Sequence, residues 1–245
     1  MGYAGSVIVV SYNILADSYI KPAFYPNAKA EHLEPTWRRS ALIERIASLD
    51  ADVICLQEVE EAVFGQVQSR LTGFEAHYAK KSQGKPDGCA TFVRGGTVAR
   101  RTLAYSDGSG HVALIVAVDL AGVRVGISNT HFKWGPPGTS VGADQAIELL
   151  AALDADGWIA CGDFNAGPES ALVAEFHRRG FADSHAALGG HTCNSNGVPK
   201  RIDFLMHRGL KAVPSPLAFL EGATPLPSAA EPSDHLAIRA TFSRP

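Results

Sequence analysis

Cysteine is scarce and unpaired in this 245-residue sequence: Cys55, Cys89, Cys161 and Cys193 lie far apart, with no CxxC spacing. That excludes a disulfide-dense secreted scaffold and leaves no ligand pair for a structural zinc. Three of the four sit in or beside apolar strand-like runs, and they read as reduced core thiols of a cytoplasmic protein. No apolar run approaches the ~20 residues of a membrane-spanning helix. The start, from Met1 to Val7, has no basic region before its short apolar stretch, so neither a secretory signal nor a membrane partner is expected. Charge of one sign is also missing, with 22 Lys and Arg against 25 Asp and Glu. A global field for steering polyanions is thereby excluded. Basic doublets such as Lys80-Lys81 and Arg100-Arg101, with Lys85, read first as solvated faces, and any polyanion site must be local. Repeats, low-complexity tracts and linkers are absent, so residues 1–245 are expected to form a single domain, and no protein partner is evident.

What is present is a set of β-branched runs bounded by Gly or Asp: 7–11, 53–56, 90–93, 111–118, 123–128, 158–161, 202–206 and 236–242. Helical periodicity is clear three times. Pro35 opens a segment with Leu42, Ile43, Ile46 and Leu49 on one side. Ala143, Ala146, Ile147, Leu150 and Leu153 form a second stripe, and Pro168 starts a third with Leu172, Val173 and Phe176 buried. Strands outnumber helices, and the hairpin-like neighbours 111–118 and 123–130 predict antiparallel or mixed sheets rather than an all-parallel one.

Six of these pieces carry polar residues at one end. Val7 to Val10 runs into Asn13, and Val53 to Leu56 runs into Gln57 and Glu58. Val123 to Ile127 runs into Asn129 and His131, which share a face. Trp158 to Cys161 runs into Asp163 and Asn165, which period-two alternation also places on one face. That stretch alone reads equally well as a strand end before a Gly-Pro helix start. Asp234-His235 precedes a strand, and the start of an antiparallel strand lies at the same edge as its neighbours' ends. Asp203 sits inside an apolar run, where an unpaired charge is costly, so it needs a partner; a histidine at that edge is the natural one. Together Asn13, Glu58, His131, Asp163, Asn165, Asp203, Asp234 and His235 supply four carboxylates, two amides and two imidazoles. Such an oxygen-rich set suits hard Mg²⁺ or Mn²⁺, and crowded carboxylates themselves call for a cation. The remaining histidines, His32, His77, His111, His177, His185, His191 and His207, have no partner spacing and read as surface or internally satisfied residues.

In order, SYNIL at 11–15, LQEV at 56–59, NTHF at 129–132, GDFN at 162–165, RIDF at 201–204 and SDH at 233–235 resemble the motifs of the endonuclease/exonuclease/phosphatase superfamily. The resemblance spans essentially the whole chain. SYNILADSY, Trp37-Arg38-Arg39, DADVICLQEVE, KPDGCATFVR and LPSAAEPSDHLAI resemble its deadenylase-like branch, of carbon-catabolite-repressor nuclease, nocturnin and Angel type. Trp134 and Pro136 after NTHF are similar to the repressor-type nucleases, and Lys133 is similar to nocturnin. The resemblance implies an α/β (α+β) fold, a four-layer sandwich of two mixed β-sheets flanked by helices.

It also implies a metal-dependent hydrolase of phosphate esters using Mg²⁺, with Mn²⁺ as a substitute, as one or two ions. Glu58 is then the principal metal ligand with Asn13 beside it, and Asp234 completes the shell. Asp163 deprotonates the attacking water, Asn165 and His131 contact phosphate oxygens, and Asp203 fixes the tautomer of His235. Asn129, Lys133, Trp134 and Pro136 are the candidate substrate contacts, with Trp134 either a base platform or loop filling against Pro136-Pro137. The expected substrate is single-stranded RNA, attacked at its 3′ end by an exonuclease or an RNA-end phosphatase. A phosphatase for a small nucleotide bearing a ribose phosphate stays open. A catalytically inactive binding protein of the same fold is disfavoured, since no position in the six motifs is replaced.

Overall fold

Alternation makes Ser6–Asn13 a strand with two buried faces: Val7 and Val9 point one way, Val10 and Tyr12 the other. The same logic repeats along the chain in the computed structural model, which describes residue 3 and residues 5–136, 139–153 and 157–245. Its strands are β1 (Ser6–Asn13), β2 (Val53–Glu60), β3 (Phe74–Lys80), β4 (Asp87–Arg94), β5 (Ala99–Ala104), β6 (Val112–Leu120) and β7 (Val123–His131). They continue with β8 (Gly157–Asp163), β9 (Ala182–Asp183), β10 (Cys193–Ser195), β11 (Val198–Lys200), β12 (Asp203–Arg208), β13 (Lys211–Pro214) and β14 (Ile238–Ser243). The α-helices are α1 (Pro35–Ala47), α2 (Glu61–Arg70), α3 (Val141–Ala151) and α4 (Ala171–Arg178).

Two six-stranded sheets result, ordered β13-β14-β1-β2-β4-β3 and β5-β6-β7-β8-β12-β9, with β10 and β11 as a separate ribbon. Both are mixed: β1 pairs parallel with β2 and β7 with β8, while β14 against β1 and β12 against β8 are antiparallel. Inner faces meet through Val7, Val9, Val53, Val116, Ile127, Ile159 and Phe242. Leu42, Ile46, Val63 and Val67 of α1 and α2 cover the outer face of the first sheet. Leu149, Leu150, Leu172 and Phe176 of α3 and α4 cover the second. The expected four-layer sandwich is thus the observed one. Each fully buried apolar side chain contributes about 1.5–3 kcal/mol, so the inter-sheet layer and the two sheet–helix layers share the stabilisation.

Three local expectations are corrected. Pro168 does not open the third helix: Ser170 caps it, its hydroxyl accepting from the Val173 amide at 3.2 Å, and Pro168 lies in the preceding turn. On α3 the expected Ala143, Ala146 and Leu150 are buried, with Leu153 just beyond the helix, but Leu149 takes the place of Ile147, which is 42% exposed. His111 lies just outside β6. The α2 helix and strands β3, β5, β9, β10, β11 and β13 were not evident in the sequence. Pro137 falls outside the described residues.

Candidate active site

The central layer changes chemistry along its length. Inner-face residues of β1 run Val7, Val9, Ser11, Asn13; those of β7 run Val125, Ile127, Asn129, His131; those of β8 run Ile159, Cys161, Asp163. Apolar side chains give way first to a buried amide layer. Gln57 Nε2 donates to Asn129 Oδ1 at 2.8 Å and to Ser11 Oγ at 3.1 Å, while Asn129 Nδ2 donates to the carbonyls of Ala90 (2.8 Å) and Leu56 (3.0 Å). Asn129 is therefore not a substrate contact: it is 0% exposed and its amide is spent tying the two sheets together.

One residue further out, the charged groups meet. Asn13 Nδ2 donates to Glu58 Oε1 at 3.1 Å and to Asp163 Oδ2 at 2.9 Å. Its Oδ1 accepts from the Leu15 amide at 3.0 Å, so presenting oxygen to a cation requires that amide to rotate. Glu58 reaches the cluster because β2 is irregular between Leu56 and Val59, with Glu58 in the left-handed region at φ 57°. Its second oxygen accepts from the Ala16 amide at 3.0 Å. Such a backbone, strained by about 1–3 kcal/mol, persists only where its surroundings fix it.

Asp163 and Asn165 do face one another's surroundings, but not through strand alternation. The strand ends at Asp163, and Asn165 turns left-handed at φ 51°, its amide donating to Asp163 Oδ1 at 2.8 Å. Gly162 permits this end of the strand: a Cβ there would lie 1.7 Å from the Thr130 carbonyl oxygen of β7. Phe164 anchors the turn from the other side, its ring centroid 5.0 Å from those of Phe132, Phe176 and Phe204.

Asp203 stands opposite Asp163 in the β8–β12 register and finds the expected partner, His235 Nδ1, at 2.9 and 3.1 Å. That leaves His235 Nε2 3.7 Å from Asp163 Oδ2 and 3.9 Å from Asp234 Oδ1. Ser233 locks the segment in place, its hydroxyl donating to the Asn13 carbonyl at 2.7 Å and accepting from the His235 amide at 3.2 Å.

His131 departs from expectation. Its Nε2 lies 2.8 Å from Asn165 Nδ2, and its Nδ1 lies 3.2 Å from Lys81 Nζ. Both ring nitrogens thus face protein groups, and Asn165 Nδ2 also donates to the Phe132 carbonyl at 2.9 Å. The pair forms an internal unit from which a phosphate contact has to displace a bond. Lys81, which in sequence belongs to a doublet read first as a solvated face, instead joins the site. Its ammonium is buried against Asp87 Oδ2 at 2.6 Å, and Tyr19 supports that carboxylate at 2.7 Å. Lys80, by contrast, is half-exposed beside Glu61. The signal was available: β3 ends at Lys80, and Lys81 follows it directly.

Electrostatics single out the same groups. Burial pushes the Asp163 carboxyl up to about 7, against the pull of His235. Burial likewise raises Glu58, opposed by Lys81, and Asp234, opposed by His235. For His235 burial alone would favour the neutral ring, but Asp203, Cys193 and Asp234 hold its pKa well above the usual value. His131 is driven well below the usual value by burial and then by Lys81. The carboxylates are thus short of positive charge. Glu58, His131 and Asp163 each place a ligand atom within 4.8 Å of the others, and the buried Asp234 Oδ1 has no hydrogen-bond partner. These residues fit a hard divalent cation.

Of the candidate substrate contacts, Lys133, Trp134 and Pro136 follow β7 and line one wall of a cavity of about 600 Å³ whose floor includes Asn165. Trp134 is 62% exposed, and its packing against Pro137 lies outside the described residues. No helix among the described residues is long and apolar enough to cross a membrane.

The sequence profile of the Endonuclease/Exonuclease/phosphatase family matches residues 10–235. Protein angel homolog 2 of Mus musculus is 28% identical over 195 residues, covering 68% of this chain and 36% of that protein. The CCR4-Not complex 3′-5′-exoribonuclease subunit Ccr4 of Candida albicans is 23% identical over 234 residues, covering 74% of this chain and 30% of that protein. The chain therefore spans about a third of the length of these curated relatives. In fold it is similar to the crystal structure of ANGEL2, described as a 2′,3′-cyclic phosphatase, with TM-score 0.86 and 20% identity over 98% of this chain and 96% of that one. The human nocturnin catalytic domain gives TM-score 0.75 and 23% identity over 98% and 94%. These relatives lie in the deadenylase-like branch. Profile, relatives and fold agree: the chain belongs to the endonuclease/exonuclease/phosphatase family of phosphoester hydrolases.

Proposed function

We propose that this chain, a single catalytic domain, hydrolyses phosphate esters at RNA 3′ ends, with Mg²⁺ as the physiological cation and Mn²⁺ as a substitute. The observation that carries the reading is the cavity lined by Asn165 and Trp134, roomy enough for a nucleoside, with Asn165 bonded through its backbone amide to Asp163. Relatives described as a 3′-5′-exoribonuclease subunit and as a 2′,3′-cyclic phosphatase support the substrate class. Four free, buried cysteines suit a reducing cytoplasmic setting.

Glu58, Asp234 and a rotated Asn13 would hold the cation, which supplies charge compensation for the phosphate as negative charge develops. The other steps belong to the chain. Asp163, with its raised pKa, is suited to take the proton of the attacking water. Asp203 holds the Nδ1 proton of His235, so that Nε2 donates to a phosphate oxygen. Asn165 exchanges its bond to His131 for one to phosphate, and His131 positions it. Lys81 adds fixed positive charge behind His131. Trp134 offers a flat surface for a base, and Pro136 limits the opening. A second reading, a phosphatase for a small nucleotide bearing a ribose phosphate, has Lys133 at the cavity wall in its favour.

A substrate panel with Mg²⁺ tests the reading: oligoadenylate, mixed RNA, RNA ending in 2′,3′-cyclic phosphate, DNA and NADPH. Turnover of RNA ends, abolished by EDTA, is expected. Activity confined to NADPH or to DNA would replace it.

A further inference from the structure

The four cysteines carry no metal motif in sequence, but the fold brings one of them to the site. Cys193 opens β10 and forms an isolated bridge with His235. Cys193, Asp234 and His235 each offer a ligand atom, all within 4.8 Å of one another, and the three residues are 2%, 7% and 5% exposed. Two further observations point to a ligand here. Asp234 Oδ1 is buried without a hydrogen-bond partner and lies 3.9 Å from His235 Nε2. Asp203 grips His235 Nδ1 at 2.9 Å, the carboxylate–imidazole arrangement that orients the other ring nitrogen toward a metal.

The donor set differs in kind from the one around Glu58. Carboxylate and amide oxygens suit hard Mg²⁺, whereas thiolate, imidazole and one carboxylate suit Zn²⁺ and its thiophilic analogues. We propose that Cys193, Asp234 and His235 form a second, inhibitory cation site selective for thiophilic divalent ions. On binding Zn²⁺, the Cys193 thiol and the His235 imidazolium each release one proton to solvent, and metal–sulfur, metal–nitrogen and metal–oxygen bonds form. No electron moves. A fourth position stays open to water, as three protein ligands leave it. Occupancy withdraws Asp234 from the catalytic cation and His235 Nε2 from phosphate, so hydrolysis stops. The inhibitory half rests on the phosphoesterase reading; the binding half does not.

The two are tested separately on the full chain, comparing the parent with Cys193→Ala and, as a closer size match, Cys193→Ser. Titration with Co²⁺ or Cd²⁺ alone should produce a sulfur-to-metal charge-transfer band in the parent that both variants lack. In Mg²⁺-supported assays Zn²⁺ should inhibit the parent, and the variants should need roughly tenfold more, at least the cost of losing one supporting group at a metal site. Inhibition is read for each variant as the ratio of its rates with and without Zn²⁺, so a change in basal rate does not enter the comparison. A band of equal strength in the folded variants overturns the site, since the sulfur would then be Cys55, Cys89 or Cys161. A band confined to the parent with equal Zn²⁺ inhibition in the variants overturns the inhibitory role. Absence of turnover on every phosphate ester would count against the phosphoesterase reading, while the absorption titration still decides the site.

Discussion

At the scale of single residues, Glu58 and Asp163 place charge where folding alone disfavours it. Glu58→Gln removes a buried carboxylate whose pKa burial has raised, while keeping its shape. With EDTA present the variant should melt no lower than the parent, yet the rise in Tm on adding Mg²⁺ should disappear, as calorimetry would show. Asp163 makes the pH dependence explicit. Its folded pKa, about 7, lies above the ordinary value of 3.8, so the folded state holds the proton more tightly. The stability this confers is complete below about pH 4 and is lost as pH rises through about 7. His235, also raised, acts in the same direction at higher pH. Buried neutral His111 and His131 act in the opposite direction, but only below their ordinary value of 6.5. From about pH 6.5 upward the metal-free protein should therefore lose stability, and Mg²⁺ should restore more of it at higher pH; a flat Tm against pH in EDTA would contradict this. Asp203→Asn should lower kcat by roughly 10²-fold or more through misorientation of His235, with Tm little changed.

At the scale of elements, strands were legible where both faces are buried, because β-branched runs such as Val53–Leu56 leave little alternative. The edge strands β3 and β5 were not, since solvent on one side allows Glu75, Lys80 and Arg101 among their residues. Helix α2, interrupted by Gly65, has only Val63 and Val67 buried and presents too short a stripe to recognise. The site was readable because its residues continue the inner columns of β1, β7 and β8; Asn129 shows the limit of that logic, since a column does not reveal where solvent begins. The loop after β7 and the α4 cap offer separable tests. Trp134→Ala should raise KM for RNA by the equivalent of roughly 1–3 kcal/mol without changing stability, given its exposure. Ser170→Ala should cost about 1 kcal/mol of stability through the lost cap, with kcat preserved.

At the scale of the whole molecule, the two sheets divide the chemistry. Asn13 and Glu58 belong to the first sheet and His235 precedes its strand β14, while His131, Asp163 and Asp203 belong to the second. A cation held by Glu58 and Asp234 next to Asp163 would therefore sit where two separately hydrogen-bonded bodies meet, joined elsewhere by apolar contact and by hydrogen bonds such as that between Gln57 and Asn129. Ligand occupancy then behaves as a fastener. At a hundredfold excess over Kd it adds about 2.7 kcal/mol to the cost of separating them. Its imprint should appear far from the opening: amide exchange should slow along β1 and β2 and along β7, β8 and β12 together, by a common factor. Slowing confined to one sheet would mean that the layers part without breaking the site.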